Sequence, residues 1–158
     1  MLTNLNNETV NAQIFKNFDV AIVGAGAAGI TLTKELSSLG KNVALIEAGD
    51  YEYSDESQEI YIAKTKGDHY FDLDVARLRF FGGTTNHWNG WCRSFEEEDF
   101  KRGYLGNEYK WPITLKDIDP FKEKACNILE VPTSFNDSYL ENSKIEKIEF
   151  HFSPPVRF

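Results

Sequence analysis

Residues 20–49 read VAIVGAGAAGITLTKELSSLGKNVALIEAG. Val20–Val23 closes a short β-branched, apolar run that begins at Phe18, the pattern of a buried parallel strand. Gly24, Gly26 and Gly29 follow at once, at G-x-G-x-x-G spacing. From Ala27 the pattern turns helical. Ala28, Leu32, Leu36 and Leu39 fall on one face, and Gly40 is placed to end the helix in a left-handed conformation. Asn42–Glu47 then reads as a second buried strand. Strand, glycine turn, helix and strand fit within ~30 residues, the size of a βαβ unit, whose crossover is expected to be right-handed.

A lone glycine motif is weak evidence, but here it follows a strand and opens a helix, the context in which the motif binds a dinucleotide. Gly24 permits the tight turn, Gly26 lets the backbone approach a pyrophosphate, and Gly29 lets helix and strand pack closely. The helix N-terminus then offers unpaired N–H groups and a partial positive charge to the anion, so no side-chain cation is required. Glu47 ends the second strand about 20 residues beyond the glycines, where an acid accepts hydrogen bonds from a ribose diol. No Arg or Lys follows it immediately, which speaks against a 2′-phosphate. Ala27 and Ala48, adjoining these positions, belong to the same expected site. The competing reading is tight packing with no ligand; agreement of strand, helix and acid favours dinucleotide binding.

Outward from this unit the signals weaken. Residues 1–17 are polar and aperiodic, and are expected to form a flexible arm; residues 49–73 are mixed. Ser94 and Glu97 form a capping-box pair ahead of the acids Glu96–Asp99, which predicts a helix start there. A further helix is expected with Asp119 as N-cap and Pro120 at its first position, its face being Phe121, Ala125, Ile128 and Leu129. Residues 145–152 alternate weakly, like a strand. The chain stops at residues 153–158, SPPVRF, which reads as an interruption.

In bulk the 158 residues have room for a sizeable core, and 41% hydrophobic with 27% charged residues is ordinary for a soluble globular chain. A formal net charge of −8 argues against nucleic acid and anionic membrane surfaces, which reward clustered Lys and Arg. No leader is visible at the start and no apolar run approaches the ~20 residues that cross a bilayer, so a cytoplasmic location is expected. Cys92 and Cys126 stand apart from any metal-ligand spacing and read as two reduced thiols; no metal site is expected.

The second informative stretch, residues 81–93, reads FGGTTNHWNGWCR. Paired glycines followed by small hydroxyl residues make a tight loop whose backbone can lie against a flat or phosphorylated ligand. The alternative is a Gly-rich turn whose aromatics fill core. With its E-A-G ending, the stretch at residues 20–49 is similar to FAD-binding flavoproteins more than to nicotinamide dehydrogenases. Together the two motifs resemble the glucose–methanol–choline (GMC) oxidoreductases, over residues 18–50 and then 77 to about 131, including Trp111-Pro112-Ile113 and Asp119-Pro120. Within that family the chain looks closest to bacterial sugar and polyol dehydrogenases and pyranose-oxidase-like proteins.

The resemblance implies that Gly24, Gly26 and Gly29 hold the FAD pyrophosphate and Glu47 the adenosine ribose. Gly82 and Gly83 would begin the loop beside the flavin, with Thr84, Thr85 and Asn86 hydrogen-bonding to the cofactor. His87 stands where some members attach FAD covalently and others carry Asn nearby; packing on the flavin is its plainer role. Members oxidise an alcohol: a base, a His near the end of a much longer chain, takes the hydroxyl proton while hydride passes to flavin. No residue here matches that base, and His69 and His151 lie in no motif.

The expectation is therefore an incomplete α/β, Rossmann-like FAD-binding domain over residues 18–158, a parallel sheet with helices and with helical and loop extensions. Its partners would be a small alcohol or sugar substrate and the remainder of the same polypeptide. Two readings stay open beside it. A small NAD-dependent dehydrogenase needs only residues 24–47 and leaves residues 81–93 without a role. A non-catalytic nucleotide-binding module fits a chain that is complete at 158 residues.

Overall fold

The computed structural model describes residues 2–5, 17–101 and 106–154; most of the expected arm, residues 1–17, lies outside them. The described residues divide into two compact units, one up to His87 and one from Trp88.

The first unit is built on the expected βαβ. Strand β1 (Val20–Val23) leads into helix α1 (Ala27–Ser38) and strand β2 (Val43–Ile46). β1 and β2 pair in parallel, Val20 opposite Val43 through Val23 opposite Ile46. The Gly24 N–H extends the ladder to the Ile46 carbonyl at 2.7 Å. At the far end the Asp19 carboxylate accepts from the Asn42 N–H at 2.8 Å. Gly40, at φ +78, closes α1 as the sequence requires. Its N–H donates to Ser37 and the Lys41 N–H to Leu36, a Schellman pair that satisfies the last carbonyls.

The face of α1 that carries the periodic apolar residues is not its buried one. Ala28, Leu32 and Leu39 are exposed and Leu36 is half-buried, whereas Ile30 is the buried residue of the helix. Two strands cover only a narrow stripe of a helix, and the stripe that meets them runs through Ile30 and the close-packed Gly29. Ile22 and Ala25 complete the small apolar centre.

The mixed segment after β2 forms α2 (Asp55–Gln58), a 3₁₀ turn (Glu59–Tyr61) and α3 (Leu73–Ala76). Ser54 caps α2 by accepting the Ser57 N–H at 3.2 Å. Buried Gln58 is fully used: Nε2 donates to the Asp74 carbonyl at 2.6 Å and the Arg77 carbonyl at 2.5 Å, and Oε1 accepts the Arg79 N–H at 3.1 Å. One amide therefore fixes the entry of residues 77–82.

In the second unit, β3 (Trp91–Cys92) pairs antiparallel with β6 (His151–Phe152), and β4 (Ser138–Tyr139) with β5 (Glu146–Lys147). The single strand expected over 145–152 is thus two short ones, each with a different partner. Helix α4 (Glu97–Phe100) starts later than expected: Glu96, not Ser94, is the N-cap, in a capping box with Asp99. Helix α5 (Leu115–Ile118) carries a further capping box, Thr114 with Asp117. Asp119 is consequently not an N-cap; its backbone is already helical, and Pro120 sits in a 3₁₀ turn (Asp119–Phe121) that joins α5 to α6 (Lys122–Leu129). Phe121 and Ala125 face solvent, and Cys126, half-buried Leu129 and Val131 form the small core with Cys92. Burial pushes the Cys92 thiol up, consistent with a packed thiol.

Arg93 ties this unit together. Its guanidinium donates to Asp137 Oδ1 at 2.9 Å and Oδ2 at 2.5 Å, to the Glu149 carbonyl at 3.0 Å, and to Glu96. It also lies 6.0 Å from the Phe135 ring centre and 5.9 Å from that of Phe150.

Candidate functional site

The turn between β1 and α1 sets the site. Gly24 takes φ +98, a backbone conformation that residues bearing a Cβ rarely adopt. A Cβ on Gly29 would lie 1.9 Å from the Gly24 carbonyl oxygen, so only glycine lets the helix approach the turn this closely. Gly26 is different: it is the N-cap of α1, in extended conformation at φ −80, and a Cβ there would meet nothing within 4 Å. α1 has no side-chain cap and no acid in its first turn. Its leading N–H groups therefore face outward without an internal anion.

Glu47 bridges the turn and the end of β2. Its Oε2 accepts the Ala25 N–H at 2.7 Å and its Oε1 accepts the Gly49 N–H at 2.8 Å. A carboxylate oxygen has two lone pairs, so each retains capacity for a hydroxyl donor such as a ribose.

The second glycine motif lies against the first. Gly82 forms a parallel bridge to Gly26, with the Gly82 N–H donating to the Ala25 carbonyl at 2.8 Å. Two residues earlier, Phe80 forms a parallel bridge to Asp50, and the Phe81 N–H donates to the Asp50 carbonyl at 2.9 Å. Gly49 permits this docking, since a Cβ there would lie 2.2 Å from the Arg79 carbonyl oxygen. Gly82 and Gly83, at φ +91 and +58, then turn the chain into a 3₁₀ segment, Gly83–His87.

These segments enclose an open groove of about 470 Å³. Of the expected site residues, Gly24, Gly26, Ala27, Glu47, Ala48, Gly82, Gly83, Thr84 and Thr85 line it. Gly29 stands behind the turn, in the packing role. Thr84 Oγ1 accepts the Leu78 N–H at 3.3 Å, and Thr85 Oγ1 donates to the Gly82 carbonyl, so both hydroxyls also shape the loop. Asn86 is outside the groove: its amide donates to the Phe81 and Gly83 carbonyls, each at 3.0 Å, and pins the turn. His87 is exposed at the end of the 3₁₀ segment, also outside the lining. Val23, Ala28, Tyr61, Leu78 and Arg79 line the groove without having been expected. Arg79 carried a legible sign, a charge set among Leu78, Phe80 and Phe81; Tyr61 lies in a segment with no motif. No cluster of His, Cys, Asp or Glu capable of holding a metal occurs among the described residues.

Residues 19–58 match the family model described as FAD binding domain. Neither a curated protein nor a solved structure matches the chain. The match covers the βαβ unit whose geometry is given above, and the fit is direct: open space over Gly26, uncapped amides on α1 and a carboxylate with spare lone pairs. The class is therefore an FAD-binding, Rossmann-like unit of a flavin-dependent oxidoreductase, and FAD is its cofactor. Among the described residues no helix is long and apolar enough to cross a membrane.

Proposed function

We propose that this chain is the amino-terminal, FAD-binding part of a GMC-type oxidoreductase that oxidises an alcohol group of a sugar or polyol. The observation that carries the proposal is the docking of the second glycine loop on the first, through the Gly26–Gly82 bridge, so that both motifs line one groove. A nicotinamide-binding turn alone has no use for that second loop.

In this reading the α1 amides behind Gly24 and Gly26 receive the diphosphate, and Glu47 holds the adenosine ribose. Gly82–Thr85 supplies the backbone wall beside the rest of the cofactor, with Asn86 keeping the wall in shape. FAD supplies hydride acceptance from the carbinol carbon of the substrate. The base that takes the hydroxyl proton is assigned to no residue of this chain, and the remainder of the polypeptide completes the site.

Residues 1–158 alone are expected to bind FAD weakly and to show no turnover. A stoichiometric yellow complex with alcohol-dependent dye reduction would contradict that. In a polypeptide that continues beyond Phe158, anaerobic addition of an aldose or polyol is expected to bleach the visible flavin band. A flavin that stays oxidised with sugars and polyols yet is reduced by a different donor class would overturn the substrate assignment. His87 is the attachment candidate in the second loop: flavin retained in the acid-precipitated pellet would establish a covalent bond, and flavin in the supernatant would exclude it.

A further inference from the structure

We infer that Arg79 is a positioning residue for the cofactor's diphosphate, adding a side-chain cation to the backbone amides of the glycine turn. Among the described residues that line the groove, Arg79 is the only positive one and Glu47 the only acid. Without Arg79 the lining would present a formal charge of one negative unit to a dianionic diphosphate, in a chain whose net charge is already −8. With it, that local repulsion is cancelled.

The surroundings of Arg79 hold it in place without neutralising it. Its N–H is gripped by Gln58 Oε1 at 3.1 Å, and its carbonyl accepts the Ser57 hydroxyl at 3.0 Å. The same Ser57 oxygen accepts from Nη1 of the guanidinium at 2.7 Å. Ser57 thus fixes both ends of the residue, main chain and side chain, through one hydroxyl. Among the described residues no carboxylate forms an ion pair with Arg79, in contrast to Arg93 and Lys101, which do have acid partners. A half-buried guanidinium held by a neutral hydroxyl keeps its other N–H groups for an anion. The geometry points to a phosphate oxygen as the acceptor.

This inference rests on the FAD reading, and titrations of residues 1–158 separate the two. FAD, ADP and adenosine are each titrated into the unsubstituted chain, Arg79→Gln and Ser57→Ala, following the Gly24 and Gly26 amide resonances at low and high salt. Loss of one charge-assisted contact predicts roughly 10- to 100-fold weaker FAD and ADP binding in Arg79→Gln, with a flatter salt dependence and unchanged adenosine binding. Ser57→Ala is expected to fall between, because it frees the guanidinium without removing its charge. If Arg79→Gln binds FAD and ADP as the unsubstituted chain does, or weakens adenosine equally, the role of Arg79 is overturned and the FAD reading stands. If the unsubstituted chain binds none of the three, both fall. Should Arg79→Gln fail to fold, the Ser57→Ala comparison decides: ADP binding weakened against adenosine supports the role, and equal binding removes it.

Discussion

Gly26 and Gly29 sit three residues apart in the same turn, yet their substitution separates fold from function. A methyl on Gly29 would collide with the Gly24 carbonyl, and backbone on both sides cannot yield. Gly29→Ala is expected to lower stability by about 1–3 kcal/mol, read from the urea midpoint. A methyl on Gly26 meets only open groove, at a φ of −80 that alanine adopts without strain. Gly26→Ala should leave the urea midpoint within about 0.5 kcal/mol while weakening FAD binding roughly tenfold or more, measured by titration. Equal effects of the two on stability would refute this division. Glu47 combines both roles. Glu47→Gln turns one of two acceptors into a donor facing a backbone N–H, either at Ala25 or at Gly49. A loss of about 1–3 kcal/mol in stability is expected, together with weaker FAD binding, by the same two measurements.

At the scale of elements, helix ends show where local rules held and where neighbours overrode them. The end of α1 was legible because Gly40 is the residue type its left-handed φ of +78 demands. α6 ends on the same hydrogen-bond pattern, Glu130 N–H to Asn127 and Val131 N–H to Cys126, but with Glu130 at φ +54. A glutamate in that region is strained by roughly 1–2 kcal/mol, part of which glycine gives back as unfolded-chain entropy. Glu130→Gly is therefore expected to raise stability by about 0.5–1 kcal/mol in thermal or urea unfolding, and a drop would mean that the glutamate has a role beyond the turn. Helix starts were harder. Ser94 and Glu97 have the spacing of a capping box, as do Glu96 with Asp99 and Thr114 with Asp117; only the last two pairs are used. Competing boxes a few residues apart differ by little locally, and the choice passes to what the element must bury, here Phe100 and the aromatic contacts of Phe95 and Trp111 with it.

For each unit as a body, a single buried or half-buried polar group does the tying. In the second unit it is Arg93, whose hydrogen bonds, with that from the Glu149 N–H, hold the Asp137 carboxyl down to about 2 from its ordinary 3.8. A carboxyl depressed on folding contributes stability above its unfolded value and loses it as pH falls through its folded value. The stability of the chain is thus expected to drop between pH about 4 and about 2 by an amount that Asp137→Asn removes. Denaturant midpoints across that range check it; an unchanged acid limb in Asp137→Asn would show that the pair does not contribute.

By itself the sequence determined the βαβ unit, its parallel pairing, the glycine turn and the acid that follows it. Each of these is written within a few residues: β-branched runs, glycines at forced spacings, and Glu47 at the end of a strand. Tertiary structure decided what lies on the groove from afar. It brought Gly82 against Gly26, recruited Arg79 and Tyr61, sent Asn86 into the loop rather than the groove, and chose Ile30 over Leu32 as the buried face of α1. The physical reason is range. Backbone conformation and strand pattern act between near neighbours, whereas the position of residues 78–85 depends on Gln58, Ser57 and Gly49, more than twenty residues distant in some pairings and carrying no periodic signal.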